Sequence, residues 1–195
     1  MIRLSFGRKT WGFLTNPVNT FNNVEPEPLA VALQYFLIWA VVYAILQTVM
    51  LYTVNTGFFQ SLEELFGVSA ATIYGINPVV FGVLSVLGTF AGIFVGGSWT
   101  HLFVLAFGGR RGYRNTIKAL AYGYTPALLL GWIPVVGWLS SIWALVLEII
   151  GIRQLHGIST GRAVGAVLVS IAAVAVVAVV IVIGVVLSLV IQATA

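Results

Sequence analysis

The sequence has few charged residues and no cysteine. Nine basic and five acidic residues make up only 7% of the 195 residues, whereas roughly a quarter of the residues of a soluble protein are charged. With 60% hydrophobic residues and a mean hydropathy of +1.07, the chain is predicted to be an integral membrane protein without a separate soluble domain. The absence of cysteine excludes disulfides, thiolate zinc sites and cysteine nucleophiles.

The basic residues do not indicate nucleic-acid binding. Although the net charge is +4, cations spread through so apolar a chain are better explained as topology signals that face anionic lipid headgroups. We therefore expect the lipid bilayer and its anionic headgroups as partners, and no nucleic acid.

Long segments almost free of charge indicate the membrane-spanning helices. About 20 apolar residues are needed to cross the hydrocarbon core, and the predicted spans lie at about residues 29–54, 78–107, 119–133, 136–152 and 163–192. The predicted fold class is an all-α polytopic bundle of five transmembrane helices, in a multi-pass protein of the cell membrane. Residues 1–28 are predicted to be a cytoplasmic or interfacial segment along the headgroups, and an unattached tail is the alternative.

The third and fourth predicted spans are short and joined by an uncharged connection. Two helices with a tight turn at residues 133–137 fit the segment 119–152 best. Because each half offers only about 15 to 18 residues, a re-entrant hairpin that does not fully cross the membrane is the alternative.

The basic residues predict the orientation. With the N-terminus inside, all of them fall on the inner side, while the outer connections carry only Glu63 and Glu64. This predicts five spans with the C-terminus outside, and three spans plus a re-entrant hairpin would have the same parity. Between the first two spans, Ser61 and Glu64 have capping-box spacing, which predicts a short surface helix.

Three glycines in the second predicted span, Gly88, Gly92 and Gly96, follow one another at four-residue spacing. This spacing places them on one helix face, where a second helix can approach closely. We predict a helix-packing face, and a flexible or ion-lining face is the alternative. The neighbouring helix belongs either to this chain or to a second copy, so a homo-oligomer is one expected assembly.

His101 and Glu148 are the two ionisable groups predicted to lie within spans. Such groups are costly in a membrane and are functional hypotheses by default. Both are expected at similar depth near the inner ends of their spans, so they could form a pair across the bundle. The alternatives are two separate groups that reach interfacial water, or a proton or ion pathway.

Two further segments are candidate sites. Tyr122, Gly123, Tyr124, Thr125 and Pro126 are predicted to form a kink, because proline removes one backbone hydrogen bond; a functional hinge or lipid contact is the alternative. The loop after the second span has the composition of an anionic-headgroup binder, although the positive-inside rule also explains it. Its cations are Arg110, Arg111, Arg114 and Lys118.

Three groups of residues resemble the Yip (YIPF) family of small five-span membrane proteins, which is known through Rab/Ypt GTPases and membrane traffic. The chain is similar to the family in Leu14, Asn16, Pro17 and Phe21, in the Tyr122 to Pro126 motif, and in Trp143, Leu147, Glu148, Gly151, Ile152 and Arg153, followed by Ser159, Arg162 and Ala163. It lacks the long acidic N-terminal region of the eukaryotic members, so it resembles compact prokaryotic relatives and a GTPase partner is not expected.

From the residues and the resemblance we predict a non-enzymatic Yip-like scaffold that organises membrane, lipid or protein partners. No ordered triad, metal-spaced His cluster or phosphate-binding Gly loop is visible, so no catalytic residue, metal or other cofactor is predicted. The alternative is a small transporter or channel for an ion, a proton or a lipid that uses the broken hairpin 119–152.

Overall fold

The computed structural model describes residues 4–53 and 76–194, and within them the chain is helical with no strand. The predicted surface helix near Ser61 lies outside the described residues. The described helices are α1 (Phe6–Thr15), α2 (Pro17–Val24), α3 (Leu29–Thr53), α4 (Pro78–Ala106), α5 (Tyr113–Gly123), α6 (Thr125–Leu130), α7 (Val136–His156) and α8 (Thr160–Thr194).

Four of these helices are long and apolar enough to cross a membrane: α3, α4, α7 and the Thr160–Ser188 part of α8. The prediction of an all-α membrane protein is therefore confirmed. The predicted third span is not a continuous helix, because α5 ends at Gly123 and α6 begins at Thr125. Together α5 and α6 reach about 27 Å at 1.5 Å per residue.

The break between α5 and α6 has a local cause. Pro126 has no N–H to donate to the carbonyl of Tyr122, four residues earlier. The Thr125 hydroxyl takes this place and donates to the Tyr122 oxygen at 2.6 Å. The carbonyl left free by proline is thus satisfied within the kink.

The segments α5–α6 and α7 form an antiparallel hairpin that turns at residues 131–135. Gly123 permits the close contact, because a Cβ there would lie 3.1 Å from the backbone nitrogen of Glu148. At the other end, Gly157 adopts a left-handed conformation (φ 64°) and ends α7. Glycines therefore determine both the closeness of the hairpin and the end of its second helix.

The N-terminal segment is part of the protein core. Phe13, Phe21 and Val24 have no exposed surface, and the Phe13 ring stacks on the ring of Tyr122 with centroids 5.0 Å apart. The alternative of an unattached tail is therefore wrong. The Phe13 and Phe21 rings pack against α3, α5 and α7, and the position of the segment along the lipid headgroups stays a prediction.

Packing is concentrated at one end of the bundle. We call this the basic end; it comprises α1, α2 with the following residues 25–27, α5, residues 149–156 of α7, and the loops at residues 107–112 and 157–159. The two loops meet where Arg111 lies against Gly157. We call the other part the open half; it comprises the turn at 131–135, residues 136–143 at the start of α7, residues 78–92 of α4 and residues 171–188 of α8. The buried residues of α4 begin only at Ile93, and residues 171–188 of α8 include no buried residue.

Candidate functional site

A cavity of about 380 Å³ lies where the basic end meets the open half. Its walls come from α4, the kink, α7 and α8, and they are mostly apolar. The wall residues that carry the argument below are Gly96, Trp99, Tyr124, Ala144, Glu148 and Ser170.

Glu148 is the acidic residue of this cavity. Its carboxylate has no hydrogen bond and no ion pair with any described residue, whereas Glu25 and Glu27 are both paired. The backbone of Glu148 is held against Gly123, and the neighbouring Leu147 is fully buried. The helix position of the carboxylate is thus set by tight packing, while its charge is left without a partner in the described part of the chain.

Three other polar side chains of the cavity wall, those of Trp99, Ser141 and Ser170, form hydrogen bonds with backbone oxygens. The Trp99 indole donates to the backbone oxygen of Ser170 at 2.9 Å, and the Ser170 hydroxyl donates to the oxygen of Val167 at 2.7 Å. The hydroxyl of Ser141 donates to the oxygen of Gly137 at 2.8 Å. These bonds satisfy the three side chains, whereas the carboxylate of Glu148 has no hydrogen-bond donor among the described residues.

The structure does not bring His101 and Glu148 together. The Nδ1 atom of His101 lies 2.7 Å from the hydroxyl of Thr116, and that hydroxyl lies 2.9 Å from Nε2 of His156. The predicted pair is absent because α7 continues past residue 152 to His156, which then stands level with His101. Glu148 lies eight residues, about 12 Å, further along the helix.

His156 is a polar residue that the sequence analysis missed. Its Nδ1 atom is buried without a hydrogen-bond partner among the described residues. The signal was present, since His156 precedes Gly157 at a helix end, where a basic side chain is favoured. Among the described residues, no group of three or more His, Cys, Asp or Glu side chains could hold a metal ion.

The three predicted packing glycines are open. A Cβ added to Gly88, Gly92 or Gly96 would meet nothing within 4 Å in the described structure. The face they share therefore packs on no described helix of this chain. Gly96 lines the Glu148 cavity, and Gly92 lines a smaller cavity of about 250 Å³ on the other side of Tyr124.

The kink at Tyr122 to Pro126 is held by the N-terminal segment. The Tyr122 hydroxyl donates to Oε2 of Glu27 at 2.6 Å, and Nζ of Lys9 donates to the same oxygen at 2.6 Å. The hydroxyls of Tyr35 and Thr125 lie 3.0 Å apart. Lys9, Glu27 and Tyr35 were not predicted as site residues, because these contacts join residues far apart in the sequence.

Two of the four cations of the basic loop contact Glu25, and the other two do not. Arg111 binds Glu25 at 2.6 Å with both side chains about half exposed, and Nζ of Lys118 donates to the backbone oxygen of Glu25 at 2.6 Å. Arg110 and Arg114 are exposed and form no ion pair with a described residue, so headgroup binding remains a prediction for these two.

A family model matches most of the chain. The family model described as the Yip1 domain matches residues 11–189 of the chain. No curated protein and no solved structure matches the chain.

Proposed function

The chain belongs to the Yip family of transmembrane proteins, and from this premise we propose that it is a non-enzymatic scaffold of the cell membrane that organises lipid or protein partners. The observation that supports this role is the open glycine face of α4, which has no helix against it in the described structure. In a membrane, a glycine face permits close approach of another helix. A second copy of the chain is the partner we propose for it.

The proposed topology has five crossings with the basic end in the cytoplasm. The antiparallel α5–α6 and α7 are the third and fourth crossings, and the positive-inside rule gives the orientation. The native chain has no cysteine, so thiol labelling of a variant with one introduced cysteine comes from that cysteine alone. In intact cells, an impermeant maleimide is expected to label Gln192→Cys but not Arg110→Cys, and both native side chains are exposed. Labelling of Arg110→Cys, or protection of Gln192→Cys, would contradict this topology.

Cysteine crosslinking tests the scaffold role. Gly92→Cys is expected to form a disulfide-linked dimer in native membranes. Val83→Cys is the control, because it is also exposed but lies about half a turn away around the same helix. Equal crosslinking at both positions would indicate random collision. Gly92→Leu is then expected to prevent dimer formation without lowering thermal stability, and unchanged assembly would remove the proposal.

Transport is the second candidate function, and the unpaired Glu148 beside the kink is the observation that favours it. Intramembrane carboxylates often mark ion or proton pathways. Proteoliposomes that move protons, ions or labelled lipid only when Glu148 is intact would replace the scaffold role with a carrier. If wild type and Glu148→Gln both show no movement above empty liposomes, the carrier candidate is excluded.

A further inference from the structure

We propose that the Glu148 cavity binds a hydrophobic molecule that carries one ammonium group, with Glu148 as its counter-ion. This site goes beyond the scaffold role, because it requires neither a second copy of the chain nor transport. It rests on the charge of the cavity, the chemistry of its walls and the direction in which it opens.

The first step concerns charge. Glu148 is the one acidic residue within the described membrane-spanning helices, and it has no partner there. The nearest cations along the hairpin are turned to other groups, since Lys118 donates to the oxygen of Glu25 and Arg153 donates to the hydroxyl of Thr160. A carboxylate in apolar surroundings is stable only when it is paired or neutralised. The missing partner is therefore a cation or a proton.

The second step concerns the walls. Trp99 and Tyr124 provide aromatic surfaces, which attract cations through the negative faces of their rings. The remaining wall is largely apolar and includes the small residues Gly96 and Ala144. An anionic ligand is disfavoured by Glu148 itself, and a neutral ligand offers no counter-charge to the ionised carboxylate. The volume of about 380 Å³ falls within the range of small-molecule sites.

The third step concerns access. Ile171 and Val174 line the cavity, and they belong to the part of α8 that has no buried residue. The cavity thus opens sideways toward the open half, where hydrocarbon surrounds the helices. Since Glu148 lies about 12 Å inside the end of α7, the ligand needs an apolar body that can enter from the bilayer.

Binding of dodecylamine tests this site. The full-length protein is placed in phosphatidylcholine nanodiscs, and binding of radiolabelled dodecylamine is measured against empty nanodiscs. We expect saturable binding of one molecule per chain, no displacement by dodecanol or dodecanoate, and at least a tenfold loss of affinity in Glu148→Gln. Binding no greater than in empty nanodiscs, equal affinity of the variant, or displacement by dodecanol would overturn the proposal.

Two glycine variants keep the test valid if Glu148→Gln fails to fold. Gly96 and Gly88 both have open space where a Cβ would lie, but only Gly96 lines the cavity. Gly96→Leu is expected to lose at least tenfold in dodecylamine affinity, whereas Gly88→Leu keeps wild-type affinity. An equal effect of the two substitutions would contradict a site at this cavity.

The ammonium group has two sources in a cell, a free amphiphilic amine or the headgroup of an aminophospholipid. We assign the site to the free amine, because a phospholipid would have to bring its phosphate to the depth of Glu148. Adding phosphatidylethanolamine to the nanodiscs separates the sources. Undiminished dodecylamine binding supports the free amine, and competitive displacement would overturn that assignment in favour of the headgroup.

Discussion

At the basic end, the consecutive helices α1 and α2 pack with the distant α5 around a buried cluster, whereas residues 78–92 of α4 and 171–188 of α8, in the open half, include no buried residue. The cluster contains Phe13, Phe21 and Tyr122, all without exposed surface, and a nearly buried ion pair between Lys9 and Glu27. In the described part of the open half, α4 and α8 present exposed and half-buried side chains. This difference indicates that stability resides at the basic end, while the surfaces available to lipids and partners lie in the open half, with Glu148 at the boundary.

The largest expected contrast comes from removing one aromatic ring in each region. Phe13→Ala should lower the free energy of unfolding by about 3–5 kcal/mol, because a fully buried ring leaves a cavity. Trp138→Ala in the open half, where that side chain is 82% exposed, should change it by less than about 0.5 kcal/mol. Thermal and denaturant unfolding in detergent measure both. Similar losses would remove the distinction between the regions.

Ion pairs at the basic end differ in burial, which gives a second contrast. The side chains of Lys9 and Glu27 are only 6% and 8% exposed, so Lys9→Ala leaves a carboxylate buried without its cation and should cost about 3 kcal/mol. Arg111→Ala breaks a pair that is about half exposed and should cost less than about 1 kcal/mol. Denaturant unfolding of the two variants and the wild type under the same conditions measures both losses in the free energy of unfolding. A larger loss for Arg111→Ala would show that the exposed pair holds the N-terminal segment.

Adding a methyl group should have opposite signs in the two regions. At Gly151 a Cβ would lie 2.8 Å from the ring of Phe21 and 3.0 Å from Cβ of Ala119, so Gly151→Ala should destabilise by about 1–3 kcal/mol. At Gly92 a Cβ meets nothing within 4 Å, so Gly92→Ala should stabilise by up to about 1 kcal/mol. Melting temperatures of the two monomeric variants provide the measurement. If both substitutions stabilise, the close contact of α2 with α7 is not present.

Much of the fold follows from local sequence signals. Asn77 and Pro78 predict the start of α4, and the Asn77 side chain does accept from the N–H of Val79 at 2.9 Å. Pro126 predicts the kink, because the loss of one backbone donor is a local effect. Apolar runs likewise predict the long helices, since length and hydropathy are read within one segment.

The contacts of the candidate site were harder to predict. The sequence predicts His101 and Glu148 at similar depth because Arg153 is the first charged residue after Glu148, but in the structure α7 continues to His156 and ends at Gly157. Which side chains meet depends on how two helices are rotated and shifted relative to each other. A shift of α7 by one helical turn would place a residue other than His156 opposite His101. The spacing of Gly88 and Gly92 predicts a shared face, but the identity of the neighbour depends on tertiary packing.

The central claim is that Glu148 is an unpaired carboxylate reached from the hydrocarbon at the boundary of the two regions. Reaction of the protein in membranes with a hydrophobic carbodiimide, followed by mass-spectrometric mapping, tests it directly. In the protein without added amine, where a proton neutralises the carboxyl, we predict a carbodiimide adduct on Glu148, none on Glu27, and no adduct on Glu148 with a water-soluble carbodiimide. An unmodified Glu148, or equal modification by both reagents, would contradict the account.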